Sequence, residues 1–560
     1  MNDDTQTRSA PAAQTLPARS REGAAAPFSS WRAFEGALAG VRGEATVVAG
    51  ITVVAALLRF WSIGTVPLGL HGDEAWTGID ARRILDEGWI GVYVDSALGQ
   101  PSGPLYWTAL LFTFLPETTT TVRFSMAVFG VATIPLSYVA FRLMFDRTTA
   151  TFAALVLTVL YWHLHLSRLG FMVISWPFME MAVLASLWLA MRRRSLWLFA
   201  LAGAITGLGV YSYNAYLVFV PVPFIALLWT YAPWRGRPLR PRDAGAAAVF
   251  AVAALVAASP FLDYVRENRD EYEAHQRVVG VQHSERWKEA DALSAKADIL
   301  WERFREWERG LVNGDRPDYG DGLAIQDQPV VDPTFALLAL VGLVVAAWHW
   351  RRPAYATLLA AALLLPFGAV LTVGDGLFRR SLGLAPFVAV LAAIPLAWLW
   401  RRLARHPEPQ RYAYLALVLL VPLFVGVRTT RDYFGPAQDS PPMRYVFPYQ
   451  MDAASRYIAG LPEGTYVYFY SDRWPFGYET RRFIAPDAQG EDRSRTFGAD
   501  TLVDDQPDLT TSRDRPVAFV FLDSYLPLAD EVMQRYEEGS GTTARRGDEI
   551  MYRAWFVPGD

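Results

Sequence analysis

The chain contains no cysteine. This excludes disulfides, thiolate metal centres and cysteine nucleophiles, and leaves any domain outside a membrane to hold itself together by packing alone. It also lacks a surplus of either charge. A formal net charge of -4 over 560 residues argues against a nucleic-acid binder and against an acidic tail protein. Dinucleotide-binding and P-loop glycine patterns are missing, and no clean internal repeat is found, which weakens transporter architectures built from two halves. Apolar length, by contrast, is abundant. Hydrophobic residues make up 52% and aromatic residues 14%, yet 19% are charged, so the charges must be segregated between strongly apolar stretches.

Residues 1–43 are rich in Ala, Ser, Thr, Pro and Arg and are expected to form a disordered cytoplasmic tail. The run Ala45 to Trp61 lacks a small-residue cleavage site and reads as an uncleaved first span. Hydropathy gives about eleven transmembrane helices, near 45–65, 122–145, 149–166, 172–191, 195–212, 215–231, 244–261, 333–350, 354–373, 380–400 and 411–427. Arg32, Arg42, Arg142, Arg147, the run Arg192 to Arg194, Arg235, Arg237, Arg240, Arg242, Arg351, Arg352, Arg401, Arg402, Arg405 and Arg411 then fall on one side. By the positive-inside rule that side is the cytoplasm of a cell-membrane protein.

The fold class expected is therefore a polytopic α-helical membrane protein. Its membrane domain covers 44–430, with outside loops 66–121 and 262–332, and a C-terminal soluble α/β domain covers 431–560. Helices are expected there at Gln450 to Ala459 and Ser524 to Glu538, and strands at Thr465 to Ser471 and Val517 to Leu522. Ser284 to Leu311 reads as an amphipathic helix with Leu293, Leu300, Trp301, Phe304, Trp307 and Leu311 on one face. It suits lipid headgroups and packing on the protein itself about equally.

The strongest local feature is GDEAWTGIDARRILDEG, Gly72 to Gly88, just after the first span. Asp73 and Glu74 sit at a membrane boundary, where low dielectric raises a carboxyl pKa and suits it to act as a base. The plainer alternative is that they charge the start of a helix. Asp73, Glu74 and Asp80 read either as ligands of a shared divalent cation or as a base with solvated neighbours; no obligatory metal is expected. His163 and His165, one residue apart, need not share a helical face and are read as ordinary polar contacts. Glu180 is the clearest acid deep in a span, read as a hydrogen-bonded structural carboxyl rather than a transport group.

This segment resembles, with others in order, the prokaryotic members of the protein mannosyltransferase and aminoarabinose transferase superfamily, the GT-C class of glycosyltransferases. The other matching segments are SGPLYW at Ser102 to Trp107, TVRFSMAVFG at Thr121 to Gly130, YWHLHLSRLGF at Tyr161 to Phe171, GLGVYSYNAYL at Gly207 to Leu217, and the pair Arg379 and Arg380. The resemblance implies a polyprenyl-phosphate sugar as donor, a glycan, lipid or protein as acceptor, and transfer outside the cytoplasm. It makes Asp73 the acceptor-activating base and Glu74 its positioning neighbour. Arg168, Arg379 and Arg380 become donor-phosphate ligands, a role suited to a fixed, always charged fork. Asp80, Tyr106, Tyr211, Tyr213, Asn214 and Tyr216 become sugar- or acceptor-binding groups, although an aromatic belt would present the same tyrosines. The family often carries a basic residue or His just before Pro-Leu-Tyr, where this chain has Ser102 and Gly103. Two other readings are a flippase for a lipid-linked saccharide and a membrane anchor for a glycan- or partner-binding domain; a diphosphate-linked donor is a further enzyme variant.

Overall fold

A computed structural model describes residues 40–231, 240–313, 329–374, 376–407, 409–498, 502–503 and 506–560. The chain falls into two units, Met1–Val47 and Val48–Asp560. Of the first, Gly40–Val47 is described, and it is helical from Val41 onward. The disordered tail expected over 1–43 thus lies outside the described residues up to Ala39, and Val41 to Gly43 belong to a helix instead.

Helices α1 (Val41–Phe60), α2 (Gly72–Glu87) and α3 (Gly103–Phe112) precede α4 (Thr119–Met144), α5 (Arg147–Val159), α6 (Tyr161–Leu166) and α7 (Ser175–Arg193). There follow α8 (Leu196–Leu208), α9 (Pro221–Tyr231), α10 (Pro241–Glu267), α11 (Arg269–Val279) and α12 (Leu293–Val312). Next come α13 (Pro333–Trp348), α14 (Pro353–Leu364), α15 (Ala385–Leu403) and α16 (Gln410–Phe434). Among the described residues eight helices are long and apolar enough to cross a bilayer, and three shorter apolar ones, Arg147–Val159, Leu196–Tyr211 and Pro333–Trp348, coincide with the remaining expected spans. The molecule is a multi-pass α-helical membrane protein. Without a hydrophobic drive between helices in lipid, close approach depends on small residues. Gly203 and Gly207, one turn apart in α8, let it touch the α10 backbone at Phe250 and Ala254.

The span expected over 149–166 is not one helix. Leu160 is extended (φ -64°, ψ 113°) and separates α5 from α6, which leaves carbonyls at the end of α5 without intrahelical donors. Arg59 of α1 supplies them. Its guanidinium donates to Thr158 O at 3.2 Å and Leu157 O at 3.5 Å, and lies 2.9 Å from His163 Nδ1. His165 stacks on Tyr161 at 6.0 Å. Glu180 is fully buried in α7, with the Trp176 indole as its hydrogen-bonding neighbour.

Loops expected on the same side do meet. Arg401 donates to Asp146 at 3.0 Å, Arg242 to Arg194 O at 3.3 Å, and Trp229 Nε1 to Trp350 O at 2.9 Å. At the opposite face Val281 N donates to Leu371 O at 2.9 Å and Val373 N to Val279 O at 2.7 Å, so the segment after α11 pairs with the loop before Arg379. Helix α12 divides its stripe. Ile299, Trp307 and Leu311 are buried, with Trp307 Nε1 3.0 Å from Ser381 Oγ, whereas Leu293 and Trp301 are exposed.

The first loop carries a small antiparallel pair, β1 (Tyr93–Val94) with β2 (Gln100–Pro101). After α16 the chain forms a five-stranded mixed sheet. In chain order its elements are α17 (Tyr449–Ala459), β3 (Tyr466–Tyr470), α18 (Glu479–Ile484), β4 (Gln489–Asp492), β5 (Val517–Phe521), α19 (Leu528–Arg535), β6 (Ser540–Arg546) and β7 (Glu549–Val557). The order across the sheet is β4-β3-β5-β7-β6; the first three strands are parallel and the last two antiparallel to their neighbours. The continuous apolar runs YVYFY and VAFVF suit β3 and β5, which are covered on both faces. One core packs Met451, Ile458 and Trp474 against Phe469 and Val520, the other Val532 and Tyr536 against Phe519 and Phe521.

Candidate active site

Helix α2 begins at His71, whose Nδ1 accepts from Asp73 N at 3.0 Å while Glu74 Oε2 accepts from His71 N at 3.0 Å. This is a capping box with imidazole in place of the usual hydroxyl. His-x-x-Glu ahead of an amphipathic run was the available signal, and sequence reasoning missed His71. The cap fixes Asp73 on the first turn, half-buried, where it forms an ion pair with Arg379. Arg379 in turn lies over Phe171, 5.1 Å from the ring centre, and the His71 ring meets Phe171 edge-on at 5.0 Å.

Electrostatics here run opposite to the sequence-based expectation. Burial alone raises the Asp73 carboxyl, but Arg379 and His71 outweigh it and hold it below its ordinary value. Glu74 follows the same pattern, with Arg123 outweighing its burial. The acid that is raised is Asp80, pushed up to about 6 by burial.

Glu74 is fully buried and saturated. Arg123 Nε and Nη2 reach its two oxygens at 2.8 and 2.9 Å, and Gly170 N donates to it at 2.7 Å. Arg123 spends its other contacts on Pro67 O at 2.7 Å, Gly69 O at 2.5 Å and Ile63 O at 3.3 Å. Glu74 therefore anchors the start of α2 and does not reach an acceptor. Arg168 is likewise corrected. It is fully buried, and it donates to Leu58 O, Arg59 O, Trp61 O and Val66 O at 2.7–2.9 Å with its face on Phe434. Both terminal nitrogens are thus spent on tying down the end of α1.

The remaining expected binding groups are mostly scaffold. Tyr106 OH donates to Gly91 O and accepts from Ile90 N, both at 3.0 Å, and Ser102 Oγ donates to Gly91 O at 2.7 Å. Tyr211 OH lies between Ala257 O at 3.1 Å and Phe261 N at 3.3 Å, filling the gap beside Pro260 in α10. Tyr216 is buried, its hydroxyl on Thr206 O at 3.1 Å; Tyr213 stacks on Trp176; Asn214 Nδ2 donates to Gly99 O at 3.2 Å. None of these contacts joins them to Asp73. Arg380 stays beside Arg379, mostly buried, with Nη1 on Thr372 Oγ1 at 3.1 Å and Val373 O at 3.2 Å.

Asp80 accepts from Ser96 Oγ and, at 3.5 Å, from Gln100 Nε2, tying α2 to the loop that carries β2. It stands seven residues from Asp73, about 10 Å along a helix axis, so those two cannot share one cation. Among the described residues no group of three or more His, Asp or Glu side chains is placed to hold a metal. Because the folded state binds the Asp80 proton more tightly than the unfolded chain, its stability falls as pH rises from about 4 to about 6. The difference corresponds to at most about 3 kcal/mol. Asp80→Asn is expected to flatten this slope, read as thermal midpoints across that range against wild type.

The C-terminal sheet-bearing region also reaches this place. Thr480 Oγ1 donates to Leu70 O at 2.7 Å and Arg82 Nη1 to Phe483 O at 2.7 Å. Phe483 lies so close to Gly78 that any Cβ there would overlap it. Docking α18 on α2 sets Tyr478 OH and Glu479 Oε2 3.2 and 3.4 Å from the position a Cβ on Gly72 would take, one residue before Asp73.

No family model matches the sequence, and no curated protein matches it. Solved structures do. ArnT from Cupriavidus metallidurans bound to undecaprenyl phosphate is similar over 91% of this chain and 97% of its own, at 16% identity and a TM-score of 0.54. An Archaeoglobus fulgidus oligosaccharyltransferase tethered with an acceptor peptide containing the NVT sequon is similar over 80% of this chain, at 15% identity and a TM-score of 0.51. This chain spans 64% of that protein's length, less than two thirds. AglB from the same organism, in complex with an inhibitory peptide and a dolichol-phosphate, is similar over 91% of this chain and 74% of its own, at 15% identity and a TM-score of 0.50. The fold of this chain is that of the GT-C membrane glycosyltransferases.

Proposed function

We propose that this protein transfers a sugar from a polyprenyl-phosphate donor to an acceptor on the extracytoplasmic side of the cell membrane, by one inverting displacement with Asp73 as general base. The observation that carries the reading is the Asp73–Arg379 ion pair at the membrane boundary, with Arg380 adjacent. A carboxylate and two guanidiniums are the groups such a displacement needs at its two ends. The N-terminus is then cytoplasmic, and the C-terminal domain lies outside beside the acceptor.

In the protein alone Arg379 neutralises Asp73. A donor phosphate offers that guanidinium a second anion, and as Arg379 turns to it the carboxylate regains its affinity for a proton. The acceptor oxygen then forms its bond to the anomeric carbon and loses its proton to Asp73. The bond from that carbon to the phosphate oxygen breaks with its electron pair, leaving the lipid phosphate with one more negative charge beside Arg379 and Arg380. Arg168 takes no part. Tyr478 and Glu479 stand where an acceptor would approach Asp73.

The test is reconstitution of the purified protein in lipid with radiolabelled polyprenyl-phosphate sugars and a cell-envelope extract as acceptor. Label should pass to acceptor material, and Arg380→Gln should raise the donor concentration needed for half-maximal transfer. A wild-type protein that transfers from no donor in the panel overturns the reading.

A further inference from the structure

His275 of α11 faces the Asp73–Arg379 pair electrostatically and has no part in the transfer above. Its position is set by backbone. The segment leaving α11 pairs with residues 371–373 through Val281 N to Leu371 O at 2.9 Å, Val373 N to Val279 O at 2.7 Å, and a bridge between Gly280 and Thr372. Thr372 and Val373 are also the residues that accept from Arg380. One short stretch of chain therefore locates both the Arg380 guanidinium and the last turns of α11, where His275 shares a face with Val279, four residues on. Nδ1 of His275 is buried with no hydrogen-bond partner, an uncommon state for a buried ring nitrogen. The charges of Arg380 and Arg379, in the segment before α15, act on it to lower its pKa, and that of Asp73, on α2, to raise it. On α12, Arg303, paired with Glu306, donates to Thr372 O at 3.0 Å.

We propose that His275 is a third phosphate ligand beside Arg379 and Arg380, and that it takes up a proton when the phosphate monoester left by sugar transfer occupies the site. The inference rests on the transferase reading. Burial, Arg380 and Arg379 push the imidazole down to about 4, so in the protein alone it is neutral at pH 7. A donor diester brings one negative charge; a monoester brings nearly two at that pH. Two negative charges against two guanidiniums cancel the arginines' share of that shift, and a phosphate oxygen gives the orphaned Nδ1 an acceptor for its N–H, which offsets the larger share due to burial. During turnover the proton is already on hand. The acceptor hydroxyl has given it to Asp73 as the phosphate gained its second charge, and passing it to His275 restores the base and balances the product anion. His275 thus distinguishes product from donor by charge.

Calorimetric titration of the full-length protein with undecaprenyl phosphate, at about pH 7.5 in buffers of different ionisation enthalpy, counts protons taken up on binding. At that pH the free phosphate, with a second pKa near 6, is already a dianion, so uptake reports the protein. Wild type should take up close to one proton per lipid phosphate bound, and His275→Gln none, with binding weakened about tenfold, as for loss of one charge-assisted hydrogen bond. A dialkyl phosphate diester should drive little uptake in wild type. The wild-type measurements need no variant, and His275→Asn repeats the comparison if the glutamine does not fold. Binding without uptake in wild type, or equal uptake in the variants, overturns the role of His275 while leaving the phosphate site intact. Absence of binding, or binding indifferent to Arg380→Gln, removes the transferase reading together with it.

Discussion

Asp73→Asn is expected to reduce sugar transfer by about 10²–10⁴-fold, the range a positioned general base supplies, with donor binding unchanged or tighter. The two effects separate because Asp73 holds Arg379 in the protein alone. The amide cannot take the acceptor's proton, yet it frees the guanidinium for the donor phosphate. A purely structural Asp73 would lower both together. The carboxylate is half-buried and paired at one edge, so its loss should leave the fold intact. The pH profile supplies an independent reading. Burial raises Asp73, and Arg379 with His71 more than reverses that, so the acid limb of kcat/KM, which reports the free enzyme, should lie below the ordinary aspartate value near 4. With Arg379 drawn to bound donor, the acid limb of kcat should lie higher. Coincident limbs, or an Asp73→Asn protein as active as wild type, would remove Asp73 from the chemistry.

How far this was legible in the sequence depends on the range over which each interaction acts. Spans are local sums of transfer free energy, so the apolar segments could be read directly. The break at Leu160 could not, because it rests on Arg59, a residue about a hundred positions away, taking over the released carbonyls. The acidic motif was visible, but its electrostatics were misread. Low dielectric was given full weight while the partners, Arg379 at a separation of 306 residues and Arg123 at 49, were hidden. Arg168 shows the converse, since an arginine past a helix end reads as a headgroup or phosphate ligand until four backbone carbonyls are seen to occupy both its terminal nitrogens. Tyr478 and Glu479 sit in an ordinary polar stretch, and the docking of α18 on α2 through Thr480, Arg82 and Phe483 brings them beside Gly72.

The other large effect concerns the Glu74–Arg123 pair, and it should appear in stability. Both side chains are fully buried, and removing either leaves an unpaired charge without water. Glu74→Ala and Arg123→Ala are each expected to cost about 3–5 kcal/mol, read as a large fall in the midpoint of thermal or denaturant unfolding in detergent. The double variant should cost far less than the two together, because each single change already forfeits the pair and the second removes the stranded charge. It should still fall short of wild type. Gly170 N and His71 N lose the Glu74 carboxylate, and Ile63 O, Pro67 O and Gly69 O lose the guanidinium, so five backbone groups are left to find new partners. An apolar replacement of matching volume, Glu74→Met with Arg123→Met, repairs the packing but not those bonds. The same contacts hold His71 and the first turn of α2, so variants that remain folded should also lose transfer through displacement of Asp73. Rescue of transfer by Glu74→Asp or Arg123→Lys would mean that charge alone suffices there, without the bidentate geometry that fixes the turn.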